Sequence, residues 1–180
     1  MGNFDKREWK SKIFDGLVPT EVEWGMMAAY IDGEGSILIN PRRGKEGGRY
    51  TDEAATFYLK VTVANTDVRL MHWLKRIFGG TFKDANTAKY YEGRNVKTAW
   101  HWSCSSNRAV WILHNCFPLF VIKREQAEIG IRLQESMNRG HRGRALPKEI
   151  VEERRSLKST LLVLKQRGKI TDKETKVAVA

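Results

Sequence analysis

The stretch of this sequence whose residue types could do chemistry runs from Trp24 to Ser36, and at its end an acid stands between two glycines, Gly33-Glu34-Gly35. Upstream, Gly25, Ala28 and Ala29 fall at i, i+3 and i+4, the spacing of one helix face, and leave that face almost without side chains. Another backbone can approach such a face closely. The helix should run to about Asp32, with the glycines turning the chain and Glu34 projecting past its C-terminal end. Unpaired carbonyls give that end partial negative charge, which disfavours a carboxylate unless a cation joins it. A hard divalent ion with oxygen ligands is the natural candidate. If the face pairs with its own copy about a two-fold axis, two Glu34 carboxylates converge near where the two strands of a duplex could be attacked. Gly25, Ala28, Ala29 and Asp32 are then the expected subunit interface, and one element supplies both interface and acid.

The elements that must position this segment belong to a globular chain. Its 180 residues, 41% apolar or aromatic and spread throughout, suit one domain with an appendage and exclude a disordered or fibrous class. The longest apolar runs, such as Leu161-Leu162-Val163-Leu164, fall far short of the roughly 20 residues that span a membrane, so no membrane partner is expected. The N-terminus, with Asp5, Lys6, Arg7, Glu8 and Lys10, lacks the apolar core of a secretory signal. With only Cys104 and Cys116, free thiols and an intracellular, non-secreted setting are expected. A net charge of +11 points to a polyanionic partner. Residues 139–180 hold twelve Lys or Arg against five acids, so +7 of the +11 lies there. His101, Cys104, His114 and Cys116 do not give a zinc-finger spacing, and neither a Walker loop nor a dinucleotide fingerprint occurs, so no small-molecule cofactor is expected.

Residues 1–18 read as an arm. Thr20 and Glu23 form a capping box that opens the first helix. Ser36 to Asn40 reads as a strand ended by Pro41, followed by a Gly- and Arg-rich loop through Arg49. From Thr56 to Ala64, Phe57, Leu59, Val61 and Val63 alternate with Tyr58, Lys60, Thr62 and Ala64, the pattern of a half-buried strand. Asp67 caps a helix carrying Leu70, Met71, Leu74, Ile77 and Phe78, which Gly79-Gly80 stops. Two strands follow, Thr81 to Lys83 and Thr98 to Cys104, with a loop at Gly93-Arg94-Asn95 between them. Ser105 or Ser106 caps a helix to about His114, Pro118 interrupts, and a further helix spans about Lys123 to Asn138, ended by Gly140. After the basic loop Arg139 to Arg144 and Pro147, a last helix carries Ile150, Leu157, Leu161 and Leu164 on one stripe and should end at Gly168. The order predicts an α+β (mixed α/β) fold, an antiparallel sheet backed by helices.

Met27 to Gly35 resembles the nine-residue motif of the LAGLIDADG homing endonucleases, departing from it at Met27, Ala29 and Tyr30, none of which touches the acid. Val61 to Asp67, leading into a helix and Phe78-Gly79-Gly80, is similar to that family's strand-to-helix passage. Trp100 to Asn107 looks like its last strand and turn, and Pro118 to Ala127 like its proline-apolar-lysine segment. The resemblance covers about residues 20 to 138 and is to the single-motif, homodimeric type. It implies an αββαββα(α) core with a saddle-shaped sheet and leaves the flanks unexplained; the apolar stripe of the last helix adds a C-terminal helical extension. The domains are then an arm at 1–18, an endonuclease domain at 19–138 and a basic helical extension at 139–180. The implied activity is a metal-dependent double-strand break in a long pseudo-palindromic DNA site by an intron-encoded type of enzyme.

By the same resemblance, Glu34 and the Gly33 carbonyl bind Mg2+, for which Ca2+ or Mn2+ can substitute; Lys123 is the lysine of the basic pocket, and Asn65 positions solvent. The sheet would lie along the major groove, with Ser36, Leu38, Asn40 and Arg42 from one strand and Tyr58, Lys60 and Thr62 from the next, extended by Lys97, Trp100 and Trp102. Arg42, Arg43, Lys45 and Arg49 in the loop, with the basic extension, suit phosphate contacts. Two other readings share these residues. One is a non-cutting nucleic-acid binder, an intron-splicing maturase or a DNA-binding regulator; the other is a basic helical interaction module centred on the C-terminal extension.

Overall fold

The structure is a computed structural model that describes residues 18–41, 57–85, 97–138 and 146–178. Residues 1–17 of the N-terminal arm, the loop residues Arg42, Arg43, Lys45 and Arg49, the Gly93-Arg94-Asn95 loop and the basic loop from Arg139 to Arg144 with Gly140 all lie outside the described residues.

Helix α1 (Glu21–Glu34) opens on the expected capping box: the Thr20 hydroxyl accepts from the Glu23 amide at 3.3 Å, and the Glu23 carboxylate accepts from the Thr20 amide at 2.7 Å. It runs two residues beyond Asp32 and passes directly into strand β1 (Gly35–Pro41), so Glu34 is the helix's last residue. The glycines do not turn the chain as expected, because Gly35 is extended at φ −89. Gly35 answers a different requirement. A Cβ there would lie 2.6 Å from Ile31 Cα and 3.0 Å from the Thr62 carbonyl oxygen, so only a glycine lets the helix end lie this close to the neighbouring strand.

Strand β2 (Phe57–Asn65) pairs antiparallel with β1, placing Ser36 opposite Thr62 and Leu38 opposite Lys60. Asp67 then caps α2 (Val68–Phe78), its carboxylate accepting from the Arg69 amide at 2.9 Å. Gly79 and Gly80, at φ +69 and +80, end that helix in a conformation side chains rarely adopt. Strands β3 (Thr81–Asp84) and β4 (Trp100–Ser105) follow, then α3 (Ser106–Cys116), a 3-10 turn at Phe117–Leu119, α4 (Arg124–Asn138) and α5 (Lys148–Ala178). Ser105 caps α3 by position, without the side-chain hydrogen bond its type suggests. Gly168 does not end α5, which continues to Ala178; one glycine inside a helix costs only about 1 kcal/mol, too little to force an end.

The four described strands form one antiparallel sheet in the order β1-β2-β4-β3. The period-2 alternation decides its two faces. Ile37, Leu59, Val61 and Val63 point inward onto Met27 and Ile31 of α1, Met71, Leu74 and Phe78 of α2, Ile112 and Leu113 of α3, and Leu133 of α4 in one core. Leu157 and Leu161 bring α5 into the same core as the expected stripe. Trp24 joins Phe78 and Trp111 at centroid distances of 5.2 and 4.6 Å, an aromatic cluster that seats the first turn of α1. Among the described residues no helix is long and apolar enough to cross a membrane.

Candidate functional site

Glu34, Asn65 and Lys123 come together at the C-terminal end of α1 from three separate elements. Asn65, the last residue of β2, donates from Nδ2 to Glu34 Oε2 at 2.6 Å and accepts from the Asp67 amide at Oδ1 at 2.8 Å. The exposed carboxylate is thereby tied to the sheet and to the start of α2. Lys123 Nζ donates to the carbonyls of Ile31 at 2.7 Å and Asp32 at 2.5 Å. It is thus a cation placed against the negative end of the helix, part of the compensation that an acid at that end requires. Burial pushes the Lys123 ammonium below the usual lysine range, and the charge of Asp32 offsets this only in part.

Asp32 is expected at a subunit interface, yet its carboxylate is engaged within its own chain. Its two oxygens accept from the amides of Val121 at 2.8 Å, Ile122 at 3.2 Å and Lys123 at 2.9 Å. That clamp is a role the sequence reading missed, and it fixes where Lys123 starts. The expected interface also changes in detail. Ala28 is 2% exposed and packs into the chain's own core, because the same helix must cover the sheet. The outward face of α1 is instead Val22, Gly25, Met26, Ala29 and Gly33; Val22 is 72% and Met26 41% exposed, and a Cβ at Gly25 or Gly33 would meet nothing within 4 Å. Val121 and Ile122, 87% and 71% exposed, extend this apolar surface beside Asp32. Helix α1 is therefore apolar on both sides, a property of helices buried on both sides.

No protein-family model and no curated relative matches the sequence. Solved structures do match the fold. The homing endonuclease I-CvuI, in complex with its target in the presence of calcium, superposes with a TM-score of 0.59 at 16% identity, over 79% of this chain and 82% of that one. The archaeal intron-encoded homing endonuclease I-Vdi141I, complexed with DNA, gives 0.60 at 10% identity over 80% and 84%. The LAGLIDADG meganuclease I-AabMI, bound to uncleaved DNA, gives 0.53 at 17% identity, covering 77% of this chain but 44% of its own. The chain has the LAGLIDADG homing endonuclease fold.

In this LAGLIDADG sheet, the face turned away from the helices carries most of the residues expected there. Ser36, Leu38 and Asn40 of β1 and Tyr58, Lys60 and Thr62 of β2 alternate with the buried positions. Strand β4 is a correction. Trp102 is 0% exposed, its indole Nε1 donating to the Gly79 carbonyl at 2.8 Å, and half-buried Trp100 lies on the same side against Phe82. The outward residues are one position along, at His101, Ser103 and Ser105, with Thr81 and Lys83 on β3. Pairing aligns Ser36, Thr62, Ser103 and Thr81 in one row across the sheet, a run of hydroxyls that only the register reveals. Lys97 is exposed just before β4.

Proposed function

We propose that this chain is a divalent-metal-dependent DNA endonuclease that works as a homodimer on a long pseudo-palindromic duplex. The observation that carries this reading is the geometry of α1. The helix turns an uncovered apolar face outward and ends in Glu34, where Asn65 and Lys123 gather. A second copy docked on that face would bring the partner's Glu34 to the same point. The match to less than half of I-AabMI supports a chain that needs a second half, and the DNA in the I-CvuI and I-Vdi141I structures supports a duplex partner. Residues 19–138 are then the catalytic unit, and the +11 charge suits phosphate contacts from the loop after β1 and from the basic extension.

Among the described residues of one chain no group of three His, Cys, Asp or Glu is placed to hold a metal. The donors present, the Glu34 carboxylate and the Gly33 carbonyl, are hard oxygens suited to magnesium, calcium or manganese, and the missing acid is what a partner would contribute. A bound ion supplies Lewis-acid stabilisation of charge on the attacked phosphate. Asn65 holds the carboxylate in orientation. Lys123 uses two of its three ammonium protons on helix carbonyls, leaving one for a phosphate oxygen or for the attacking water. The hydroxyl row, Leu38, Asn40, Tyr58 and Lys60 face the groove.

The test is incubation with magnesium and a library of randomised duplexes. Site-specific double-strand breaks are expected, lost in Glu34→Gln while DNA binding persists. Magnesium-independent binding of structured RNA with no breaks would replace this reading with the maturase one.

A further inference from the structure

Helix α5 lies against α4 in a register that a buried pair fixes. Arg154 is 4% exposed; its Nε donates to Ser136 Oγ and its Nη2 to the Ser136 carbonyl, both at 3.1 Å. Lys165 stands eleven residues after Arg154, about 16 Å further along α5 at 1.5 Å per residue. The same distance back from Ser136 along an antiparallel α4 reaches Glu125, two residues from Lys123. Leu157 and Leu161 are buried between these points, and Leu133 and Ile129, at the matching spacings back from Ser136 on α4, are buried too. Burial pushes the Lys165 ammonium below its usual range, and the charge of Lys123 pushes it the same way, as the register would have it. Like charges brought near each other and partly desolvated are costly unless an anion joins them. Lys123 lies against the carbonyls of Ile31 and Asp32 in the last turn of α1, the helix that ends in Glu34, so such an anion would sit near the acid.

We infer that Lys165 is a second cation of the nuclease centre, and that with Lys123 it receives a DNA backbone phosphate beside the bond to be cut, an inference that rests on the nuclease reading above. The C-terminal helix is then a part of the centre that adds a charge to it, and its basic character has a local purpose as well as a general one.

The experiment uses the full-length protein and a duplex selected with the wild type, comparing wild type, Glu34→Gln, Lys165→Gln and Lys165→Arg. Cleavage is followed in magnesium at saturating protein, and binding in calcium across salt concentrations. Lys165→Gln should slow saturated cleavage by about tenfold or more, and Lys165→Arg should restore most of the rate. The slope of log affinity against log salt should shrink by about 2 for a dimer that loses two phosphate contacts. Lys165→Met, which keeps the apolar stem, serves if the Gln variant melts early. Wild-type rate and slope in the Gln or Met variant, or no rescue by Arg, would overturn the inference. If the wild type binds duplex without cutting it, the nuclease reading fails instead, and the salt slope alone still decides whether Lys165 meets a phosphate.

Discussion

Asn65 engages both ends of its amide, one with the Glu34 carboxylate and one with the backbone that starts α2, so it has no other way to orient without losing a hydrogen bond. Groups that orient a ligating carboxylate typically matter by about 10–100-fold in metal affinity or activity. Asn65→Ala should therefore slow single-turnover cleavage by about that factor and raise the magnesium needed, with duplex affinity in calcium nearly unchanged; a full rate at low magnesium would remove Asn65 from the centre. The thiols give a second prediction at this scale. Burial pushes Cys104 up to about 12 and Cys116 further still, and both are free. The native protein should resist a thiol reagent at mildly alkaline pH and yield two labelled cysteines on unfolding, and fast native labelling would contradict the burial described. Glu34 is legible from the sequence because a lone acid at a helix end is a local oddity. Its tie to Asn65 and the Lys123 contact with Ile31 and Asp32 join residues 31 and about 91 apart, which no local pattern reports.

At the scale of elements, the alternation of strand β2 was readable, short of its last residue Asn65, because its inward set is purely apolar and its outward set mostly polar. Strand β4 was not, since Trp100 and Trp102 suit either a core or a nucleic-acid face, and only the pairing of Trp102 with Val63 and Phe82 puts it inside. Helix α1 shows the same limit: small residues at i, i+3 and i+4 mark a close-approach face, but a helix apolar all round does not say which side meets its own sheet. The structure divides it, with Met27, Ala28 and Ile31 inward and Val22, Met26 and Ala29 outward. A contrast between two charged substitutions follows. Met26→Glu should leave the monomer's urea stability within about 0.5 kcal/mol but weaken dimerisation by about 4 kcal/mol over the two symmetric copies. Ala28→Glu should instead unfold the chain, because a charge buried without a partner costs several kcal/mol. Sedimentation and urea titration separate the two, and an Ala28→Glu protein that stays folded as a monomer would mean that the faces are assigned the wrong way round.

For the whole molecule, the proposed dimer would have to close two chains of net charge +11 while bringing like-charged Glu34 carboxylates together at its centre. Two nearby carboxylates repel each other, and a divalent cation between them relieves the repulsion. A metal that binds the folded dimer and not the unfolded chain raises stability by mass action, about 2.7 kcal/mol at a concentration 100 times its dissociation constant. Millimolar magnesium or calcium should therefore raise the melting temperature of the wild-type protein measured against a chelator control. Glu34→Gln removes both the repulsion and the ligand, so without metal it should melt at or above the wild type, and added metal should shift it little. Monovalent salt at matched ionic strength provides the control for general screening, which should act alike on both proteins. A wild type that gains no more from the divalent ion than Glu34→Gln does would mean that the two acids never meet, and the paired-helix arrangement would have to be abandoned however well the single chain fits its fold.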